Sequence, residues 1–147
     1  MSAVDVVVPE GFEPLQDHSP FQVALGQMYY KLKPRGAIVG LRIAEQHLNR
    51  YRNLHGGALS AFLDVAMGLS VLVQPDGPPA NLTVSLNIDY LDRTAKGDWL
   101  EADVSISKMG RRLAFVGCEV HAQGRMVARA SGVWMLQWPK ADGASGA

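Results

Sequence analysis

The stretch that decides the fold is NRYRNLHGGALSAFLDVAMG, residues 49–68. It opens as a polar, basic loop, turns at His55-Gly56-Gly57, and continues as an apolar segment holding one carboxylate, Asp64. From Gly57 to about Val73 the apolar residues Leu59, Phe62, Leu63, Ala66, Met67 and Val73 recur near a 3.6-residue period, and the run QPDGPP (74–79) ends it. The spacing predicts one long helix. Gly68 inside it predicts close packing against a neighbouring element. Apart from Asp64 the polar side chains of this segment are Ser60 and Ser70. A helix so apolar around its circumference is expected to be wrapped by sheet, and by a partner subunit as well.

Outward from the helix the period changes to two. On the N-terminal side, MYYKLK (28–33) and AIVGLRIA (37–44) flank Pro34-Arg35-Gly36 and read as a strand hairpin. On the C-terminal side, LTVSLNIDYL (82–91), WLEADVSISKMG (99–110), RLAFVGCEVHA (112–122) and MVARASGVWMLQW (126–138) read as four strands, with Gln123-Gly124 as one of the turns. In the first of these, alternation sets Val84, Leu86, Ile88 and Tyr90 on one face and Thr83, Ser85, Asn87 and Asp89 on the other. The order strand, strand, long helix, four strands predicts an α+β fold, an antiparallel sheet of about six strands around one helix. Residues 1–19 are expected as an N-terminal arm, 20–138 as the single domain with a short helix near 20–28, and 139–147 as a disordered tail.

Bulk properties exclude several classes of function. The formal net charge is zero, so bulk attraction to nucleic acid or an anionic membrane is not expected. Apolar residues are 48% and charged residues 19% of the chain, a balance that suits a folded domain rather than a disordered one. No apolar run approaches the ~18 residues of a membrane span. The N-terminus lacks a basic region and a signal-peptide core, so a cytoplasmic location is the default expectation. The single cysteine, Cys118, lies in an apolar run and reads as a buried structural thiol. His18, His47 and His121 have no metal-ligand spacing, so neither a metal nor another cofactor is expected.

His55-Gly56-Gly57 sits where the helix begins. Its glycines let a ligand approach the backbone, and the first helical N–H groups lack internal partners, an oxyanion hole in outline. Asp64 is a candidate catalytic base, because a carboxylate among Phe62, Leu63, Val65 and Ala66 is costly unless it has a partner or a task. Gly57 and Asp64 are ~10 Å apart along the helix at 1.5 Å per residue, too far for both to act on one carbonyl. A two-fold dimer with shared sites removes that difficulty.

The pattern N-x5-HGG-x6-D-x3-G, here Asn49, His55-Gly56-Gly57, Asp64 and Gly68, followed by LTVSLNIDYL and by KMGRRLAF (108–115), resembles the hotdog-fold acyl-CoA thioesterases of the PaaI-like type. The likeness runs from about residue 25 to 136. The resemblance implies a homodimer with shared sites, usually paired into a homotetramer, that hydrolyses an acyl-CoA thioester to a free acid and coenzyme A without a metal. Carried over by position, Gly57 N–H and the Asn49 side chain would polarise the carbonyl, and His55 would support the turn. Asp64 of the facing subunit would activate water or attack directly, and Thr83 would orient the water or the carboxylate. Gly56, and Lys108, Gly110, Arg111 and Arg112 around the later turn, are candidate substrate contacts, the cations toward coenzyme A phosphates. One departure stands out: the family often has glycine three residues before the histidine, where this chain has Arg52, so Asn53 is expected to take the left-handed conformation instead. Rival readings are a hotdog acyl-thioester hydratase or dehydratase, and a non-catalytic acyl-CoA-binding protein.

Overall fold

A computed structural model describes residues 6–141. The elements in order are β1 (Glu13–Pro14), α1 (Pro20–Leu25), β2 (Met28–Lys33), β3 (Gly36–Arg42), a single 3-10 turn (Glu45–His47), α2 (Gly56–Leu72), β4 (Ala80–Tyr90), β5 (Trp99–Met109), β6 (Leu113–Ala122) and β7 (Arg125–Gln137). All strand pairs are antiparallel and form one sheet in the order β1-β2-β3-β5-β6-β7-β4. The six expected strands and the long helix are present. The seventh strand, β1, comes from the expected arm: Glu13 and Pro14 pair with Tyr30 and Tyr29. Residues 1–5 of that arm and 142–147 of the expected tail lie outside the described residues.

The sheet curls around α2 because each strand turns its apolar alternate positions inward. Val39 and Leu41 of β3, Leu100 and Val104 of β5, Val120 of β6 and Trp134 of β7 are buried in one core with Phe62, Leu63, Ala66 and Met67 of the helix. Burying a side chain the size of Phe, Leu or Met stabilises by ~1.5–3 kcal/mol, so this central row dominates the fold's cohesion. Gly68 fulfils its predicted role: a Cβ there would lie 3.2 Å from Trp134 Nε1, so the absent side chain is what admits the indole. Ser70, buried on the same helix, donates to the Ala66 carbonyl at 2.8 Å, which is how an interior hydroxyl is satisfied. Cys118 is buried as expected, and burial pushes its thiol up to about 12, as an inert structural cysteine requires.

The face assignment of β4 changes in one respect. A β-bulge interrupts the register between Thr83 and Ser85: Thr83 pairs with Trp134 and Ser85 with Val133, leaving Val84 as the extra residue. The bulge resets the alternation. Thr83 therefore shares the helix-facing side with Leu86, Ile88 and Tyr90, while Val84 is 54% exposed. Among the described residues β4 pairs only with β7, so its other edge is free along eleven residues.

Candidate active site

The helix start is built by its own sequence. His55 caps α2, with its Nδ1 accepting the Gly57 N–H at 2.8 Å, which fixes the proton of the neutral ring on Nε2. The His55 N–H in turn donates to the His47 carbonyl at 2.7 Å. His47 is buried and structural: its Nδ1 accepts the Ala44 N–H at 2.9 Å and its Nε2 meets the Leu25 carbonyl. The His55 cap occupies the Gly57 N–H expected to meet a carbonyl. Gly56 and Ala58 N–H have no acceptor among the described residues.

The preceding loop is held by Asn49. Its Oδ1 accepts the Tyr51 N–H at 2.9 Å and the Asn53 N–H at 3.1 Å. Those two donors identify the oxygen and leave Nδ2, the hydrogen-bond donor, without a partner among the described residues. The left-handed residue of this loop is Arg52, with φ 66°, not Asn53. A side chain in that conformation costs ~1–2 kcal/mol. Arg52 is held there by a two-pronged ion pair with Glu45, which also binds Lys96, and the two cations lower the Glu45 carboxyl from 4.5 to about 2. Arg52 is thereby committed to the loop. Arg50 lies over the Tyr51 ring at 5.8 Å.

Two turns along the helix, Asp64 is half-buried, and its Oδ1 accepts the Thr83 hydroxyl at 2.6 Å. The bulge in β4 is what aims Thr83 there. Asp64 does not point into the core. It borders a cavity of about 290 Å³ lined by Val65, Gly68, Leu69 and Leu72 of the helix, Asn81 and Leu82 of β4, Trp134, and Leu15 and Asp17 from the segment after β1. The result is a largely apolar slot with two carboxylates on its wall, Asp17 and Asp64, of which Asp64 has the Thr83 hydroxyl as partner. Asn81 closes the strand onto the helix, its Nδ2 donating to the Gly68 carbonyl at 2.9 Å.

Within one chain the expected site residues fall into separate groups. Asn49, His55, Gly56 and Gly57 gather at the helix start, while Asp64 and Thr83 border the slot. Arg111 and Arg112 border a second cavity together with Trp138, and Lys108 is exposed on β5. Gly110 forms the intervening turn by donating to the Leu113 carbonyl at 2.8 Å. Sequence reasoning missed the hydroxyl pair at the helix start. Tyr90 and Ser60 oxygens are 2.6 Å apart and lie 3.2 and 2.9 Å from the Gly56 carbonyl. Tyr90 reads as one more apolar strand residue, and only its hydroxyl hints at a polar neighbour. Among the described residues no group of three or more His, Cys, Asp or Glu is placed to hold a metal ion, and no helix is long and apolar enough to cross a membrane.

Comparison with known proteins gives a consistent set of relatives. A family model described as "Thioesterase superfamily" matches residues 51–129. A Pseudomonas aeruginosa protein named "Putative esterase PA0474" is 39% identical over 88% of this chain and 97% of its own length. Human acyl-coenzyme A thioesterase 13 is 26% identical over 74% of this chain and 79% of its own. Among solved structures, a mutant form of the phenylacetic acid degradation protein PaaI from Thermus thermophilus superposes with a TM-score of 0.71 at 28% identity, covering 81% of this chain and 100% of that one.

Proposed function

The chain belongs to the thioesterase superfamily and is a hotdog-fold thioester hydrolase of the PaaI-like type, and from that premise we propose that it hydrolyses acyl-coenzyme A thioesters at sites shared between two chains. The observation that carries the chemistry is the 2.6 Å hydrogen bond from the Thr83 hydroxyl to Asp64 Oδ1 beside an apolar slot. Thr83 fixes one carboxylate oxygen, and Oδ2, without a partner among the described residues, faces the chemistry. In the general-base form, Oδ2 takes a proton from water as the water oxygen bonds to the thioester carbonyl carbon. Collapse of the tetrahedral oxyanion breaks the C–S bond, and coenzyme A leaves as its thiolate to collect the proton. Direct attack by Asp64 would pass through an anhydride that water then opens, and the same geometry serves it. The slot takes the acyl group.

Oxyanion donors are supplied by the facing chain in this reading: Asn49 Nδ2, already oriented by the bonds to its Oδ1, and the Gly57 N–H once a carbonyl displaces His55 Nδ1. The exposed position of His55 makes that displacement inexpensive. Support for the dimer comes from β4. Its Tyr90 end touches Gly56 at the helix start and its Thr83 touches Asp64, so strand and helix run in opposite directions. Pairing two free β4 edges about a two-fold axis near the strand centre sets the helix start of one chain beside Asp64 of the other. Leu82, Val84 and Leu91, each at least half exposed on or just after that strand, would be covered by such pairing. Arg111 and Arg112 would bind coenzyme A phosphates, and pairing of dimers would complete a tetramer.

The test is thiol release from a panel of short, medium, long and aromatic acyl-CoAs, with Asp64→Asn as control. Hydrolysis of at least one class, lost in the variant by a factor of ~10²–10⁴, is expected. Absence of thiol release across the panel, or an Asp64→Asn variant as active as the parent, would reject the proposal.

A further inference from the structure

The open cavity at the end of β7, about 750 Å³ and lined by Arg111, Arg112 and Trp138, joins two cations to one aromatic face. Arg111 and Arg112 make no ion pair among the described residues; Arg42, Arg50 and Arg93 are likewise without one, but only Arg111 and Arg112 line this cavity. The turn that carries them is anchored to the strand end by its backbone. The Trp138 Nε1–H donates to the Arg111 carbonyl at 3.1 Å, and the Leu136 N–H to the Arg112 carbonyl at 2.7 Å. These bonds fix the indole against the backbone of the turn that carries both arginines, while leaving Trp138 49% exposed. A half-exposed indole with its N–H already bonded offers a ring face, and unpaired arginines offer forked donors for phosphate.

We propose that Trp138 is the platform on which the adenine of coenzyme A stacks, with Arg111 and Arg112 holding the phosphates beside it. This rests on the acyl-coenzyme A reading above and adds a residue to it. Position agrees with the chemistry. Trp134 is the strand partner of Thr83, which touches Asp64, and Trp138 lies four residues farther along, ~13 Å at 3.3 Å per residue. A pantetheine arm bridges a gap of that size between the reacting thioester and the nucleotide.

The binding test needs no turnover. Adenosine 3′,5′-bisphosphate and inorganic pyrophosphate are titrated into the full-length protein by calorimetry. Base–aromatic stacking predicts that Trp138→Leu weakens the nucleotide about five- to 150-fold and leaves pyrophosphate unchanged, while Trp138→Phe, which keeps a ring but not the N–H, weakens the nucleotide less than about threefold. Replacing Arg111 and Arg112 by alanine weakens both probes. In steady state, Trp138→Leu raises KM for a CoA thioester and leaves kcat, and the kcat/KM of the matching pantetheine thioester, as in the parent. Equal nucleotide affinity in parent and Trp138→Leu overturns the proposal, as does equal loss of pyrophosphate or a change of oligomeric mass in that variant. Because the titration reads binding alone, its outcome is decisive even if no acyl-CoA is hydrolysed.

Discussion

Thr83→Val isolates the contact on which the proposed chemistry depends. Valine keeps the branched shape at the bulge and removes the hydroxyl that donates to Asp64 Oδ1 at 2.6 Å. A hydrogen bond from a neutral donor to a charged acceptor is worth ~1.5–3 kcal/mol; because it is already made in the resting protein, only the part realised by orienting the carboxylate in the transition state counts, and ~10–150-fold is the ceiling on the slowing of turnover. The fold should tolerate the change, because Thr83 is exposed on the edge strand and no other contact of its hydroxyl is lost. The assay is kcat for thiol release beside a thermal melt, with Thr83→Ser as the second variant. Serine restores the donor and should return kcat to within a few-fold of the parent. A Thr83→Val enzyme with parental kcat would refute the carboxylate-orienting role. Equal losses in the serine and valine variants, with lowered melting points, would assign Thr83 to packing instead.

Mixing inactive Asp64→Asn chains with inactive Asn49→Ala chains should restore activity after subunit exchange, because random pairing leaves roughly a quarter of all sites intact in a two-fold dimer; complete exchange verified by mass, with no recovery, would place the site within one chain. His55→Ala removes the cap on Gly57 and should cost ~0.5–2 kcal/mol of stability in a denaturant melt, with kcat falling far less than in Asp64→Asn. The depressed Glu45 carboxyl contributes stability that is complete above its ordinary 4.5 and lost as pH falls toward about 2. Amide protection factors in the 49–53 loop, corrected for the pH dependence of intrinsic exchange, should therefore fall as pH drops across that window, and Glu45→Gln should abolish that fall. Cys118, with its thiol pushed up to about 12, should resist iodoacetamide at about pH 8 in the folded protein and react on unfolding, as mass spectrometry can record.

The parts of the fold legible in the sequence are those with many repeats of a period. Seventeen residues of α2 and strands of six to thirteen residues announce themselves by apolar spacing. β1 does not, since two residues carry no period and its pairing with β2 depends on tertiary contact. The 3-10 turn before the active loop is equally silent at three residues. The bulge at Val84 is hidden for a different reason: it breaks the alternation from which strand faces are inferred, so Thr83 reads as outward although it meets Asp64. Arg52 also misleads. Local propensity favours Asn53 for the left-handed position, and the structure gives it to Arg52, where the carboxylate of Glu45 holds the guanidinium.

Why an acid stands in an apolar helix follows from what surrounds it. One turn beyond Asp64, Gly68 lets Trp134 approach the helix, and Asn81 ties β4 to the Gly68 carbonyl. Those two contacts draw the strand close enough for the Thr83 hydroxyl to reach the carboxylate, and the bulge gives it the right face. The same strand ends at Tyr90, which with Ser60 caps the Gly56 carbonyl side of the helix start. In the proposed mechanism a single helix–strand pair thus carries the base at one end and the donor turn at the other, separated by more than one carbonyl can span. Each half is complete in one chain and without its complement there. In the proposed dimer a two-fold axis through β4 would make two complete sites from two such pairs, so the length of the helix segment between Gly57 and Asp64 would itself be a constraint. Lengthening it by a full turn would preserve both faces yet carry the base ~5.4 Å from its opposite donors.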